Sequence, residues 1–348
     1  MTQLTVDRDQ THVVDTSDAR RVLILGATGG FGHALTQQMA SQGWQIRAVS
    51  RKPQQHSDGI NSIGSVNWFV GDLDLPETLV EAASNVDVIV HAVNVPYQHW
   101  NPTMLNFTRT IIDLAQDNNA HLMFVGNVYN AGIPREGMIT ENTLNAPINE
   151  KGDIRAQLED MIKQASDNGL RTTIMRFGDF FGPDLGASNW FNVCTKAIGK
   201  NKLMFPGDAD MPHTWAYLPD AAKAFAQVAI LRIAGVESPN HLVLPFTGHV
   251  FSFAQLQGVF ESIKGRRVKV SQVPWRIFGI LGWMIPLIRE LVSMRYLWQH
   301  DIRMDGKALR EFLGAEPEHT TLEQAVLSCV PDLNNSGQDL SLKHSVVD

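Results

Sequence analysis

The segment Val22–Gly32, VLILGATGGFG, constrains this chain more than any other. A branched apolar run leads straight into Gly26-x-x-Gly29-x-x-Gly32, and a helix-length amphipathic stretch, Phe31–Gln42, follows. Gly26 permits a tight turn off the strand, Gly29 lets backbone approach a bound group, and Gly32 lets the helix pack close. The group such a turn receives is a diphosphate, held by free N–H groups and the positive end of the helix dipole. A turn alone would account for the glycines; the strand before and the helix after favour the diphosphate site.

The rest of the chain repeats that β-α rhythm. Apolar, Val/Ile-rich runs fall at 22–25, 46–49, 66–70, 86–93, 122–125 and 172–176, nearly uninterrupted, as strands covered on both faces should be. Helical patterns lie between most of them, at 31–42, 76–83, 104–116 and 153–165, with Ile154, Leu158, Met161, Ile162 and Ala165 on one face of the last. The expected fold class is α/β, a Rossmann-type doubly wound parallel sheet with right-handed crossovers and a smaller interleaved C-terminal substrate domain. The expected boundaries are a disordered leader over 1–19, a dinucleotide-binding domain over 20–183, a substrate-binding cap over 184–332 and a flexible tail over 333–348. Residues 214–245, with a helix at 221–232 and a strand at 241–244, return to the first unit, and another helix is expected at 253–264.

Composition narrows the classes. The formal charge is −7, from 29 Lys+Arg against 36 Asp+Glu, with no long basic block, which argues against a nucleic-acid partner. Two cysteines make no disulfide framework or Cys-based zinc site, and with a polar, acidic N-terminus they point to the cytoplasm. Within Pro274–Val292 the longest uncharged run, Ile277–Ile288, is too short to cross a bilayer. The twelve histidines include no HExxH and no ligand-spaced pair, so no metal is expected, and no GxSxG elbow marks a Ser hydrolase.

The GxxGxxG spacing with Ala27-Thr28 inside it resembles the short-chain dehydrogenase/reductase superfamily, in particular its extended, epimerase/dehydratase-like branch. Further segments support the resemblance in order from Arg21 to Val330: Gly71-Asp72-Leu73, His91-Ala92-Val93, Arg176-Phe177-Gly178-Asp179-Phe180-Phe181-Gly182-Pro183 (similar to RxxNxYGP) and Thr214–Asp220 (similar to F-x-Y-V-x-D). It implies cofactor contacts from Gly26, Thr28, Gly29, Gly30, Phe31, Gly32, Asp72, Leu73, Ala92, Val93 and Phe177. Ser50-Arg51-Lys52 ends the second strand where an NAD-selective protein carries an acid, so Arg51 and Lys52 favour a 2′-phosphate and NADP(H), with NAD(H) the alternative.

The branch's reaction rests on a Ser or Thr after the fifth strand and on Tyr-x-x-x-Lys in the next helix. Here the fifth strand runs into Gly126-Asn127-Val128-Tyr129, and the Ser position falls on Gly126 or Asn127. Taking Glu159 as the Glu that family members place after the Lys, Arg155 holds the Lys position and Lys151 the Tyr position. No tyrosine occurs between Tyr129 and Tyr217, so the usual acid/base is missing. The candidate catalytic residues are Lys151, Tyr129 and Asn127, with Arg155 holding the nicotinamide ribose. Arg155 is no general acid near neutral pH, whereas Lys151 becomes one if its neighbour lowers its pKa. A solvated helix start for Lys151 and Arg155, and a structural role for Tyr129, are the competing readings.

Trp215, Tyr217, Trp275, Phe278, Trp283, Met284, Met294, Tyr296 and Trp298 either line a large apolar pocket, with His213 and Arg295 nearby, form the core of the small domain, or expose an amphipathic helix. The expected function is an NAD(P)-dependent oxidoreductase or epimerase/dehydratase-like enzyme acting on a fairly apolar carbonyl, alcohol or enone. The other classes are a non-catalytic dinucleotide sensor or scaffold, similar to NmrA-type members, and a redox-neutral isomerase or cyclase. The expected partners are a small-molecule substrate and, through the helices at 104–116 and 153–165, a second copy of the chain.

Overall fold

A computed structural model describes residues 20–52, 66–134, 137–183, 185 and 189–330. The expected leader and the whole of the expected tail lie outside them.

Along the chain the first half holds β1 (Arg21–Leu25), α1 (Gly30–Ser41), β2 (Gln45–Ser50), β3 (Val66–Val70), α2 (Val80–Ala83), β4 (Val88–His91), α3 (Trp100–Asp117), β5 (His121–Gly126), β6 (Met138–Ile139), α4 (Glu150–Asp167) and β7 (Thr172–Arg176). The second half adds β8 (Asp179–Phe181), α5 (Trp190–Thr195), β9 (Lys202–Phe205), β10 (His213–Tyr217), α6 (Leu218–Ile233), β11 (His241–Pro245), β12 (His249–Phe251), α7 (Phe253–Lys264), β13 (Lys269–Gln272), α8 (Trp275–Leu281), α9 (Pro286–Ser293), β14 (Arg303–Met304), α10 (Lys307–Leu313) and α11 (Leu322–Cys329).

Seven strands form one parallel sheet in the order β11-β7-β5-β4-β1-β2-β3, which is a doubly wound Rossmann-type topology. The central strands are Val/Ile/Leu runs because both faces are covered; β4 is buried at every position. On one face α1 turns Phe31, Leu35 and Met39 inward, at i, i+4 and i+8, against the sheet and the Ala-rich α6. On the other face α3 and α4 seal the sheet through Ile111, Leu158 and Ile162. The α4 N-terminus is set by Asn149, whose Oδ1 accepts from the Gly152 N–H at 2.9 Å, with Glu150 and Asp153 in the first turn.

A third core, around Phe181, Phe191, Trp215, Phe253, Tyr296 and Trp298, fills the C-terminal part. It is framed by the sheet β12-β10-β8 and the pairs β13-β9 and β14-β6. Trp215, Tyr217, Met294, Tyr296 and Trp298 are therefore core residues rather than walls of a large apolar pocket. The expected helix at 76–83 splits into a 3₁₀ turn, Pro76–Leu79, and α2, and the strand at 86–93 shortens to β4. No helix among the described residues is long and apolar enough to cross a membrane.

Candidate active site

The order of the sheet reverses between β1 and β4, and ligands of doubly wound sheets lie in that crevice, beyond the carboxyl ends of the strands. Gly26 leaves β1 with φ +96°, and a Cβ there would come within 2.5 Å of the Ala92 carbonyl oxygen. At Gly32 a Cβ would stand 2.1 Å from the Gly26 oxygen. Gly29 caps α1 without a side chain, which leaves the first-turn N–H groups of the helix facing the crevice for an anion. This backbone cradle, closed to any side chain at Gly26 and Gly32, fits a diphosphate.

Other expected cofactor contacts distribute unevenly. Thr28 and Gly29 are exposed on the turn, and Gly30 lies against Leu185. Ala92 and Val93 follow β4 directly, with the Ala92 N–H donating to the Leu25 oxygen at 2.9 Å. Asp72 and Leu73 follow β3; the Asp72 N–H donates to Thr78 Oγ1 (3.0 Å), and its carboxylate accepts from the Asp74 N–H (3.1 Å). Arg51 and Lys52 are exposed at the end of β2. The Phe31 and Phe177 rings, 5.3 Å apart, pack with Phe180 and are buried beneath the turn. A residue in the first turn of α1 faces the sheet because that side carries the apolar stripe.

The neighbourhood of the missing acid/base is built from cations on aromatic faces. Lys151 and Arg155 are both buried, not a solvated helix start. Lys151 Nζ pairs with Glu290 Oε2 of α9 at 3.3 Å and lies 5.9 Å from the Trp100 ring centre. The Arg155 guanidinium lies 4.8 Å from Trp100 and 5.5 Å from Phe124, with Nη1 donating to the Val125 oxygen at 3.4 Å and Nε without a partner. Burial pulls its pKa down. One turn further on, Glu159 accepts from Arg176 Nη2 (2.7 Å) and Asn130 Nδ2 (3.0 Å), joining α4, β7 and the turn after β5.

Of the two positions open to the missing Ser, Gly126 is tightly bounded: a Cβ there would meet Ile174 at 3.0 Å and the Glu159 carboxylate at 3.3 Å. Asn127 remains, its Oδ1 accepting from the Tyr129 N–H at 3.0 Å. The Tyr129 hydroxyl is 3.0 Å from that of Tyr97, which the sequence had not singled out. Burial, then the neighbouring Tyr97 and Asp179, push the Tyr129 phenol well above its ordinary range.

Asn127, Tyr129, Asp179 and His213 line one small cleft with the apolar Val128, Phe177, Leu297 and Ile302; Lys151 is not among its lining residues. Across it, His213 Nε2 is 2.8 Å from Asp179 Oδ2, and the imidazole stacks on Trp298 at 4.0 Å. The parallel register of β8 and β10, Trp215 opposite Asp179, brings these side chains together. One signal was available in the sequence: Asp179 stands where the resembled RxxNxYGP turn carries Asn. Arg295 is exposed over Trp275 and outside this group.

The expectation of no metal rested on spacing along the sequence. The fold brings ligand atoms of Asp220, His249 and His319 within 4.8 Å of one another, from positions no spacing rule connects. The Asp220 carboxylate is already taken up by Thr320, accepting from its N–H (2.8 Å) and hydroxyl (2.7 Å).

Residues 22–242 match the profile of the NAD dependent epimerase/dehydratase family. A UDP-glucose 4-epimerase of Lactobacillus helveticus is 19% identical over 176 residues, 47% of this chain; the chain spans about half of that relative, 52% of its length. Two solved structures share the fold. A UDP-glucuronic acid 4-epimerase from Bacillus cereus in complex with NAD superposes with TM-score 0.71 at 13% identity, covering 91% of this chain and 98% of that one. A dTDP-glucose 4,6-dehydratase from Bacillus anthracis, in complex with NAD, gives 0.70 at 14%, covering 92% and 98%.

Proposed function

The chain belongs to the NAD dependent epimerase/dehydratase family, and from that premise we propose that it is a nicotinamide-dinucleotide oxidoreductase whose proton-exchanging group is His213 rather than a tyrosine. The observation that carries this reading is the pairing of His213 with Asp179 across the cleft that Asn127 and Tyr129 also line. We read 20–183 with 214–245 as the dinucleotide-binding part and the rest, to 332, as the substrate side.

The bound nicotinamide would supply or accept a hydride at the substrate carbon. The chain's own residues do the remainder. The Gly26–Gly32 backbone and the α1 N-terminus hold the diphosphate; Arg155 supplies fixed positive charge behind the cleft, where the ribose of a bound cofactor would lie. Asn127 and the Tyr129 hydroxyl donate hydrogen bonds to a substrate oxygen. Tyr129 is a poor proton donor in the chemical step because its pKa lies so far above neutrality. His213 passes the proton to or from that oxygen, with Asp179 fixing the orientation of the ring.

Arg51 and Lys52, exposed at the end of β2, support NADP(H) over NAD(H). The neighbours with the same fold are enzymes of sugar nucleotides, and a sugar diphosphate calls for a cationic grip. The polar side chains lining the cleft are Asn127, Tyr129, Asp179, His213 and Thr214, with no Lys or Arg among the described lining residues. That lining supports a compact, fairly apolar carbonyl, alcohol or enone. The test is titration with NADPH and NADH, followed by single-turnover reactions of 4-deuterated NADPH with such carbonyls. Deuterium delivered stereospecifically to product supports the reading; a folded protein that binds neither cofactor overturns it.

A further inference from the structure

The segment between β13 and β14 carries a feature that the catalytic cleft does not use. Helices α8 and α9 form a hairpin: a Cβ at Gly282 would come 3.2 Å from the Arg289 Cα, so the two helices touch where the chain reverses. The tip is apolar and bare. Trp283 is 93% exposed, Met284 83% and Ile280 75%, with Ile277 and Ile285 beside them. A contiguous apolar patch of this kind on a folded surface marks a binding face.

The charge around the hairpin points to the occupant. From 264 to 298 the sequence has seven Lys or Arg and a single acid, Glu290, in a chain whose formal charge is −7. That acid is turned inward, buried against Lys151, whereas Arg276, Arg289 and Arg295 are exposed. The outer surface of the hairpin therefore presents tryptophan, methionine and isoleucine beside arginines, with no exposed carboxylate of its own. Aliphatic and indole side chains enter the acyl–headgroup boundary while arginines stay at the level of anionic headgroups. We propose that the α8–α9 hairpin docks this protein peripherally on an anionic lipid surface, through Ile280, Trp283 and Met284.

The inner side of the same hairpin packs on the start of α4. Besides the Glu290–Lys151 pair, Asn149 Nδ2, at the start of α4, donates to the Ser293 oxygen at 3.0 Å. Docking itself does not depend on the catalytic reading, because it is measured without substrate.

The experiment is flotation of the full chain with vesicles of phosphatidylcholine alone and of phosphatidylcholine with 30% phosphatidylglycerol (about one lipid in three). Binding to the anionic vesicles, weakened at least tenfold by salt raised to ~0.5 M and by Ile280→Glu/Trp283→Glu, supports the proposal. Both positions are exposed, so the variant should keep wild-type circular dichroism and cofactor titration. Absence of binding to anionic vesicles, or equal binding by the variant, overturns it. A dimer in sedimentation velocity that the variant makes monomeric, with no vesicle binding by the wild type, also overturns it and assigns the patch to a second copy.

Discussion

His213 Nε2 and Asp179 Oδ2 stand 2.8 Å apart across a cleft that Asn127, Tyr129 and Thr214 also line. Carboxylate and imidazole come from parallel neighbouring strands of a small sheet, so their relation is fixed by register and not by a flexible loop. The position that carries the family's acid/base tyrosine falls on Lys151, outside this cleft and paired with Glu290.

Tyr129→Phe should be mild. With its phenol held far above the ordinary range, Tyr129 contributes a hydrogen bond rather than a proton, and removing it should lower kcat by about tenfold or less. Steady-state kinetics check this, and the alkaline limb of the kcat profile should stay in place. A loss of three orders of magnitude would instead make Tyr129 the proton donor.

Arg51→Ala should discriminate between cofactors. Loss of one charge-assisted contact to a 2′-phosphate is worth roughly 1.5–3 kcal/mol, or about 10- to 100-fold in NADPH affinity. NADH affinity should change by less than about twofold. Fluorescence titration of both cofactors measures the two effects side by side.

Gly32→Ala should abolish cofactor binding and weaken the fold. Its Cβ would lie 2.1 Å from the Gly26 oxygen, and the obstacle is backbone. Moving α1 away from β1 also spoils the packing of Phe31 and Leu35, at a cost of about 1–3 kcal/mol. Urea unfolding and NADPH titration should both register it, whereas Gly43→Ala meets no neighbouring atom and tests strain at its positive φ alone.

Acid should destabilise the fold before the carboxylates titrate. Burial, with Arg155 adding to it, lowers the pKa of His91 to about 3; its Nε2 faces Thr108 Oγ1 at 2.9 Å. Burial lowers His241 to about 4 in the same manner. The unfolded chain takes up a proton near pH 6.5 while the folded chain does not, so stability is full above that pH and falls as pH drops toward the folded value. At pH 5 the His91 contribution alone is a loss of about 2 kcal/mol. The drop in unfolding free energy from pH 7.5 to 5.0, read from urea curves, should be smaller in His91→Gln by that amount. An unchanged difference would mean that His91 is protonated in the fold.

The sheet and the cradle could be read from the sequence because their signals are local. Central strands covered on both faces are continuous Val/Ile/Leu runs, and Gly26 and Gly32 are demanded by close backbone approach within one short turn. The site could be read only in part. The pairing of His213 with Asp179 depends on the register of strands 34 residues apart, and the Glu290–Lys151 pair on a hairpin arriving from far along the chain. Trp215, Trp298 and Trp283 look alike as letters. Two of them fill a core and one stands bare, because hydrophobicity without a clear period does not say which side of a short helix or strand is covered.

The central claim is that His213 exchanges the proton that accompanies hydride transfer, and His213→Gln tests it most directly. The measurement is the single-turnover rate of deuteride transfer from saturating 4-deuterated NADPH to an apolar carbonyl, alongside the Kd for NADPH. The account predicts a rate at least about 100-fold below wild type with Kd unchanged. A variant that transfers deuteride at the wild-type rate would contradict it.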